Sequence, residues 1–315
     1  MSELPRVAII GAGLAGLTCA RELVQDGVEP VFFEIGRGLG GRLSTRRAEG
    51  GYQFDHGARY LTAEGDDFAF ALRKAELAGA VARWSLDWEE TAFVGVPGMT
   101  GLAKSMADGL NIRKGVRITQ IHQTDKGWEL VWDGGAEVFD RVVATAPAPQ
   151  TAALLTDGHP FRDAFDAVGM EPCLTLMIAL PSDQGVPFVA RRDPSDDLSW
   201  IALDSAKPER PNLPCLVAQA SPDWSMRHLE LEMHEIATQM LPLVSQVLGA
   251  QLIGDLPYVA AHRWRYGLVS KPLSQLFLAD KTQSLFVGGD WCLGARAEHA
   301  WTSGAAIANT LLKTI

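Results

Sequence analysis

Short apolar runs and helically spaced apolar residues divide the first part of the chain into a strand, a helix and a second strand. Residues 6–10 and 30–34 are apolar runs of the buried-strand type. Between them, apolar side chains recur on one helical face over residues 14–27, and Gly27 suits the C-terminal end of that helix. This order of elements is typical of an α/β nucleotide-binding unit.

Further along the chain the pattern changes to many short strands. Residues 116–149 alternate with a period of two in three strands, of which the last, RVVATAPAP, reads as a buried strand. More strands are predicted at 173–181, 187–192, 198–204, 215–221, 257–269 and 284–290. Helices are predicted at 63–81, from Met226 to about Gly249 and over 297–315. The middle of the chain is therefore expected to be a mostly antiparallel sheet with helices, inserted between pieces of the nucleotide domain.

Composition and charge exclude several classes of protein. Hydrophobic residues make up 47% of the 315 residues, which is close to the globular average and argues against disorder. A net charge of -10 argues against nucleic acid or an anionic membrane surface as a general partner. No apolar run reaches the roughly 18 residues of a membrane span. No signal peptide is expected before the first strand, so we expect a cytoplasmic protein.

The loop GAGLAG after the first strand has the spacing of a dinucleotide-binding fingerprint. Its glycines permit a tight turn, close approach of the backbone to a pyrophosphate, and close packing of helix on strand. An acidic residue at the end of the second strand can bind a ribose hydroxyl, and its charge would repel the 2′-phosphate of NADP. The predicted cofactor residues of this unit are Gly11, Gly13, Leu14, Ala15, Gly16 and Glu34.

The fingerprint alone does not decide between NAD and FAD, but later glycines favour FAD. GLGGR after the second strand offers further backbone donors and a cation for a longer cofactor. FVGGD near the end of the chain resembles the late strand of the glutathione-reductase-like FAD fold, whose aspartate accepts bonds from the ribityl hydroxyls. The helix after it would direct its N-terminus at the flavin. The cofactor residues added by these motifs, and by the strand expected near the adenine, are Gly40, Gly41, Arg42, Val116, Gly289, Asp290, Ala300 and Trp301.

Several motifs together resemble the renalase family of flavoproteins, particularly its bacterial members. They are GAGLAGLTCAREL, GGRLSTRR, FDHGARYLTA, VGVPGM, ATAPAPQTAALL, KPER, HRWRY and GGDWCLGARAEHAWTSG. The resemblance implies a fold like p-hydroxybenzoate hydroxylase and monoamine oxidase, with non-covalent FAD. It also implies oxidation of isomeric dihydro forms of NAD(P)H, with the hydride at ring position 2 or 6. The products would be NAD(P)+ and, from O2, H2O2.

This interpretation divides the chain into two discontinuous domains. Residues 1–60, 95–155 and 268–315 would form the FAD-binding domain, and residues 61–94 and 156–267 the substrate domain. The substrate would be a small dihydronicotinamide dinucleotide. Hydride transfer from it to flavin N5 needs no general base, because aromatisation of the ring drives the reaction.

Candidate substrate-site residues lie in the segments expected to border the flavin. They are Arg59, Tyr60, His262, Trp264, Trp291, Arg296 and His299, and for each aromatic taken alone a core or interface role is the better interpretation. Bacterial relatives tend to have GAQY where this chain has GARY, so Arg59 adds a positive charge near the site or points to solvent. The seven histidines show no metal-ligand spacing, and no metal site is expected.

Two other functions stay open at this stage. One is a different flavin enzyme on the same fold, an amine oxidase or a carotenoid-type desaturase. The other is a non-catalytic dinucleotide-binding protein. Cys292 stands where monoamine oxidases have a cysteine that tethers flavin, but renalase-like proteins carry it without a tether. We therefore expect a free, buried thiol at this position, and reduced thiols at the other three cysteines.

Overall fold

The structure is a computed structural model that describes residues 4–89, 91–252 and 256–315. The strands are β1 (Val7–Ile10), β2 (Val31–Glu34), β3 (Thr45–Arg47), β4 (Gln53–Asp55), β5 (Val81–Arg83), β6 (Phe93–Gly95), β7 (Asn111–Lys114), β8 (Ile118–Thr124), β9 (Gly127–Trp132), β10 (Gly135–Phe139), β11 (Arg141–Ala144), β12 (Gly169–Ala179), β13 (Ala190–Arg192), β14 (Leu198–Leu203), β15 (Cys215–Ala220), β16 (Tyr258–Lys271), β17 (Leu278–Ala279) and β18 (Leu285–Val287). The helices are α1 (Leu14–Gln25), α2 (Asp66–Leu77), α3 (Thr100–Ala107), α4 (Ala148–Ala152), α5 (Arg162–Asp166), α6 (Pro222–Arg227), α7 (Met233–Leu248) and α8 (Ala297–Leu312).

A six-stranded sheet in the order β17-β18-β11-β1-β2-β7 forms the nucleotide-binding half. Strands β18, β11, β1, β2 and β7 are parallel, and β17 is an antiparallel edge. Ile9 packs with Leu17 of α1 and Ile307 of α8 on one face, and Ile10 packs with Trp128 of the β8–β10 meander on the other. Because both faces are covered, the central strands are apolar throughout, as the sequence pattern predicts.

A five-stranded sheet in the order β13-β14-β15-β12-β16 forms the second half, with antiparallel neighbours throughout. Its two faces carry different side chains because strand residues alternate. Leu174 and Leu176 of β12 pack with Met240 of α7. Thr175 and Met177 belong to the opposite face, where Met177 packs with Phe54 of β4. This second face is the one turned to the FDHGARY segment.

Most predicted elements are confirmed, including every predicted strand of the second sheet. The three strands predicted over residues 116–149 are wrong in number, since the structure has four, β8 to β11, with a break at Asp140 between the last two. The predicted helix from Met226 to about Gly249 is wrong, since the segment forms two helices, α6 and α7. The helix break has a local cause: a new helix starts at a capping box in which Glu232 and Glu235 each accept from the other's backbone N–H. Strand β7 was not predicted, because it is only partly buried and its sequence lacks a run of apolar residues.

The proposed domain boundaries remain a proposal. The boundary between residues 267 and 268 falls inside β16, which continues to Lys271. Within the described residues, the helices are either too short or too polar to span a lipid bilayer.

Candidate active site

The GAGLAG loop joins β1 to α1, and its shape depends on glycine at two positions. Gly11 has a φ of 98°, in the left-handed region that favours glycine. A Cβ at Gly16 would lie 2.2 Å from the carbonyl oxygen of Gly11, so a larger residue would separate the helix from the loop. The hydroxyl of Thr145 lies 3.0 Å from that same oxygen and donates to it. Sequence reasoning missed Thr145, although it lies in the ATAPAP motif.

The N-terminus of α1 is open to a ligand. Gly13 precedes the first turn, and within the described part of the chain no side chain caps this helix end. A Cβ at Gly13 would meet none of the described atoms within 4 Å. Gly40 lies beside the loop and donates its N–H to the carbonyl oxygen of Ala12 at 2.8 Å. The first-turn N–H groups of Leu14 and Ala15 are therefore free to bind a phosphate, as at other phosphate-binding helix N-termini.

Glu34 holds the loop from the end of β2. Its Oε2 accepts the N–H of Ala12 at 2.8 Å, and its Oε1 accepts the N–H of Gly36 at 2.6 Å. A carboxylate accepts up to about four hydrogen bonds, so a ribose hydroxyl can still bind. The N–H of Val116 donates to the carbonyl oxygen of Glu34 at 3.0 Å, which brings the start of the meander beside this end of the sheet.

An ion pair joins the two later cofactor motifs. Nη2 of Arg42 lies 2.7 Å from Oδ1 of Asp290, and Nη1 of Arg42 donates to the carbonyl oxygen of Gly267 in β16 at 3.2 Å. Arg42 follows Gly41, whose φ of 55° turns the chain. A Cβ at Gly57 would lie only 2.0 Å from the carbonyl oxygen of Arg42. The arginine and aspartate expected at different parts of the cofactor therefore meet at the junction of the two sheets.

The small residues of α8 pack the helix against α1. A Cβ at Gly304 would lie 2.2 Å from the carbonyl oxygen of Ala15, so the two helices cross in backbone contact. Ala300 and Trp301 are half-buried in the first turns of α8. The ring of Trp301 packs against Phe68 of α2, with 5.7 Å between centroids. The predicted close approach is thus made to α1, and contact of Ala300 and Trp301 with the cofactor stays a prediction.

Residues 55–60, which we name the crossing segment, lie across the inner face of the antiparallel sheet. The indole N–H of Trp264 in β16 donates to the carbonyl oxygen of His56 at 2.8 Å. The side-chain amide of Gln219 in β15 donates to the carbonyl oxygen of Gly57 at 2.6 Å. Side chains from two strands therefore satisfy the backbone of this irregular segment, and Trp264 is a support for the segment.

Arg59 points back to the sheet and is partly buried. Its Nε donates to Oε1 of Gln219 at 2.7 Å, and Nη2 donates to the hydroxyl of Ser199 at 2.7 Å. The guanidinium carbon lies 5.2 Å from the ring centroid of Trp200, whose centroid is 5.9 Å from that of Tyr60. Burial lowers the pKa of Arg59 from its usual value. The alternative that this side chain points to solvent is therefore wrong.

Two histidines and Trp264 form a compact aromatic group beside the crossing segment. The ring centroids of His56 and His262 are 4.7 Å apart, and those of His262 and Trp264 are 4.4 Å apart. Burial, strengthened by the positive charge of Arg46, lowers the pKa of His262 to about 4. Burial, His262 and Arg46 together lower the pKa of His56 to about 3. Both imidazoles are therefore neutral at pH 7.

Arg296 and His299 lie at the start of α8. Arg296 bonds to the carboxylate of Glu64 and to the hydroxyl of Thr62, the latter at 3.0 Å. The buried carboxylate of Glu298 accepts the N–H of Glu64 at 2.8 Å. Nδ1 of His299 is buried and has no hydrogen-bond partner among the described residues. Arg296 thus anchors the loop before α2, and its role at a substrate stays a prediction.

The residues around Trp291 belong to the core. Trp291 is 0% exposed, and its indole N–H donates to the carbonyl oxygen of Ala146 at 3.1 Å. The prediction that Trp291 contacts the substrate is wrong, because the turn at FVGGDWC packs the indole inward and leaves no surface for a ligand. Gly289 donates its N–H to the hydroxyl of Ser303 at 3.0 Å. Cys292 is a free, buried thiol as predicted, and burial raises its pKa to about 12.

A buried ionic cluster that sequence reasoning did not place supports the crossing segment. Oδ2 of Asp55 lies 3.2 Å from Nζ of Lys207 and 2.6 Å from Nη2 of Arg210, and Asp204 lies 2.5 Å from the same Nζ. These side chains are at most 1% exposed. Burial alone would raise the pKa of Asp55, but Lys207 and Arg210 outweigh it and lower the pKa to about 2. The KPER motif, which contains Lys207 and Arg210, is the sequence feature that could have indicated this cluster.

Known proteins resemble this chain along nearly all of its length. Residues 9–72 match the NAD(P)-binding Rossmann-like domain, and residues 76–312 match the flavin containing amine oxidoreductase family. Renalase of Mus musculus is 26% identical over 304 residues, covering 86% of this chain and 87% of renalase. A 15-cis-phytoene desaturase of Synechococcus elongatus is 44% identical over 52 residues, covering 16% of this chain and 11% of the desaturase.

Solved structures share the fold at low sequence identity. The putative protoporphyrinogen oxidase from Exiguobacterium sp. 255-15 has a TM-score of 0.78 at 16% identity, covering 99% of this chain and 100% of the oxidase. Wild-type putrescine oxidase bound to putrescine has a TM-score of 0.71 at 13% identity, covering 98% of this chain and 99% of that chain. At these identities the likeness concerns the fold alone.

The residues present fit the FAD that this family carries. We name the GAGLAG loop, together with the start of α1 and the α8 residues packed on it, the cofactor cradle. It is open at Gly13, where a Cβ would otherwise stand, and the first-turn N–H groups of α1 face this opening. Glu34, Arg42 and Asp290 would hold the ribose, pyrophosphate and ribityl parts, with contact details left as predictions. The fold class predicted from the sequence is confirmed, and the chain is a FAD-dependent oxidoreductase that belongs to the flavin containing amine oxidoreductase family.

Proposed function

We propose that this protein is a renalase-like oxidase that converts isomeric dihydro forms of NAD(P)H, with the hydride at ring position 2 or 6, to NAD(P)+. FAD, when bound, supplies the chemistry of accepting the hydride and passing the electrons to O2, which becomes H2O2. The match to renalase along 86% of the chain supports this proposal. The protein's own residues would bind and orient the dihydropyridine ring and exclude water around it.

The observation that carries the proposal is the weak basicity of the described histidines and carboxylates that contact the crossing segment. His56 and His262 are neutral at pH 7 and weakly basic, because burial lowers the pKa of each. Asp55, Asp290 and Glu64 each bond to a cation. Burial raises the pKa of Asp204 to about 6, but this carboxylate is held by Lys207 and by the N–H of Asp55. A dihydropyridine needs no base, since loss of its hydride gives the aromatic ring directly. Such a site therefore suits this substrate better than one that must lose an N–H or O–H proton.

The charge of the site argues against the amine-oxidase alternative. An amine oxidase commonly binds an ammonium group between aromatic rings. Here the aromatic rings of Trp200 and Tyr60 already lie beside the guanidinium of Arg59. A second cation, Arg46, lies 3.5 Å from Nδ1 of His262. Positive charge at both places would repel a protonated amine and attract an anionic substrate.

An anaerobic titration tests the proposal. The FAD-loaded protein is mixed with 2-dihydro-NAD or 6-dihydro-NAD, and the flavin absorbance near its visible maximum is followed. We expect rapid bleaching by at least one isomer, one NAD+ formed per flavin, and H2O2 after air is admitted. The bleaching rate should be nearly independent of pH between about 6 and 9, because no base with a pKa in that range takes part.

Two outcomes would contradict the proposal. If neither isomer bleaches the flavin while an amine produces H2O2, the amine-oxidase alternative replaces it. If bleaching occurs but its rate rises with pH along a single titration, a base takes part and the proposed mechanism fails. Ordinary 4-dihydro-NADH is the matched control for non-specific reduction, and it should react far more slowly than the preferred isomer.

A further inference from the structure

Arg59 is a partly buried cation whose hydrogen-bond partners are uncharged. Nε and Nη2 bond to Gln219 and Ser199 at 2.7 Å each. Among residues 4–89, 91–252 and 256–315, Arg59 has no carboxylate oxygen within 4.0 Å. Partial burial makes a charge without a counter-ion unfavourable, so such a side chain favours an anionic ligand. Two of its five N–H donors are used, which leaves Nη1 free among the described residues.

The other titratable groups around Arg59 do not neutralise it. Asp193 attracts it from beyond ion-pair distance, and the positive charge of Arg192 opposes that attraction. Cys173 is fully buried, and burial raises the pKa of its thiol, so that it is uncharged at pH 7. Two guanidinium groups therefore stand against one carboxylate, and the local charge is positive.

A second arginine extends this positive region toward the surface. Arg192 of β13 donates to the phenol oxygen of Tyr60, the neighbour of Arg59. Its guanidinium carbon lies 5.4 Å from the ring centroid of Trp88, which is 36% exposed. Arginine planes and exposed indoles are surfaces on which a nucleobase can stack. A partly buried cation thus leads outward to a stacking surface, an arrangement suited to a nucleotide with phosphate inside and base outside.

We propose that Arg59 binds a phosphate group of the substrate, with Arg192 and Trp88 holding the adenosine portion beyond it. This inference rests on the proposed function, because it assigns the non-reacting half of a dihydronicotinamide dinucleotide. Gln219 and Ser199 hold the guanidinium in a fixed direction, so that its free Nη1 edge serves the phosphate. Arg59 would then be a specificity-determining residue that distinguishes phosphorylated from unphosphorylated substrates.

The test compares three substrates that differ in phosphate content. They are the preferred dihydro isomer as the riboside, the mononucleotide and the dinucleotide. With Arg59→Gln we expect KM for both phosphorylated forms to rise about ten-fold or more, as for loss of a charge-assisted hydrogen bond, while KM for the riboside changes little. Arg59→Lys should recover part of the loss. Arg191→Gln is the matched control, because Arg191 is exposed and lies over Phe188 instead of Tyr60.

Equilibrium binding separates this inference from the proposed function. The FAD-loaded wild type and variants are titrated with ADP-ribose by calorimetry, which needs no turnover. We expect the Kd to rise about ten-fold or more in Arg59→Gln and to stay unchanged in Arg191→Gln. If no isomer is oxidised but ADP-ribose binding still depends on Arg59, only the proposed function fails. The assignment of Arg59 is overturned if Arg59→Gln raises KM for the riboside as much as KM for the dinucleotide. It is also overturned if the Kd of ADP-ribose is unchanged in both Arg59→Gln and Arg59→Lys.

Discussion

The two halves of the candidate site are built from different parts of the polypeptide. The cofactor cradle is made of backbone, and its close contacts exist because Gly16 and Gly304 have no side chain. The crossing segment is held by side chains from distant elements, among them Trp264, Gln219 and Lys207. The cradle thus depends on the absence of atoms at a few positions, whereas the crossing segment depends on hydrogen bonds and charges that must all be satisfied.

This difference teaches where each half is vulnerable. A backbone cradle fails through steric overlap and tolerates changes of charge around it. A segment held by buried polar groups fails when one partner is removed, because the remaining partner stays buried and unsatisfied. Substitutions in the two halves should therefore have different effects on stability and on FAD content.

Removal of Asp55 should cause the largest loss of stability. Asp55→Ala leaves Arg210 and Lys207 buried without the carboxylate that both contact, and we expect the free energy of unfolding to fall by about 3–5 kcal/mol. Urea denaturation of the FAD-loaded protein measures it. Arg227→Ala is the control, because its partner Asp197 and Arg227 itself are 39% and 58% exposed, and its cost should stay below about 1 kcal/mol. Equal losses in the two variants would contradict the contrast.

Two glycines of the cradle should respond differently to a single methyl group. Gly16→Ala places a Cβ 2.2 Å from the carbonyl oxygen of Gly11, so it should lower the free energy of unfolding by about 3 kcal/mol and reduce FAD content. Gly13→Ala meets none of the described atoms within 4 Å, so the protein should keep its stability and lose FAD affinity only. Thermal unfolding and the ratio of flavin to protein absorbance measure both. A folded, FAD-replete Gly16→Ala protein would show that the contact is not limiting.

Acid should weaken the crossing segment through its neutral histidines. The pKa values of His56 and His262 in the folded protein, about 3 and about 4, lie below the ordinary value of 6.5. As pH falls from about 6.5 to 4, the unfolded chain binds protons that the folded protein does not. The free energy of unfolding should therefore decrease, by up to about 1.4 kcal/mol per pH unit for each histidine.

Urea midpoints at a series of pH values measure this slope. His262→Gln should reduce it, whereas the control His234→Gln, at an exposed position of α7, should not. A slope that is unchanged in His262→Gln would mean that other groups cause the acid sensitivity.

The smallest effect is expected at Cys292. Cys292→Ala should leave FAD content unchanged, because the buried thiol has a pKa raised to about 12 and provides no thiolate for a covalent bond. Acid precipitation of wild type should release all the flavin into the supernatant. Flavin that stays with the wild-type precipitate and is released from Cys292→Ala would establish a tether instead.

Predictability from the sequence follows the same division. The GAGLAG unit and the FVGGD turn were identified because their constraints are local: a glycine at a given spacing reports a backbone approach. The contact between Arg42 and Asp290 spans the two ends of the chain, so only the parallel order of β1, β11 and β18 shows that they meet. Trp291 shows the opposite error, in which the sequence predicted a substrate contact that the structure does not have. An aromatic residue beside a cofactor motif can face the core instead.

Sequence alone determined the nucleotide-binding unit, the FAD preference, the antiparallel second sheet and the family resemblance. Each depends on periodicity or on residue types at short spacing, and these local patterns are present in the sequence independently of the tertiary contacts. The tertiary structure alone decided that Arg59 bonds to Gln219 and Ser199, that KPER supports FDHGARY, and that His56 and His262 are neutral. These properties depend on desolvation and on partners more than a hundred residues away, and neither is written in any local stretch of the chain.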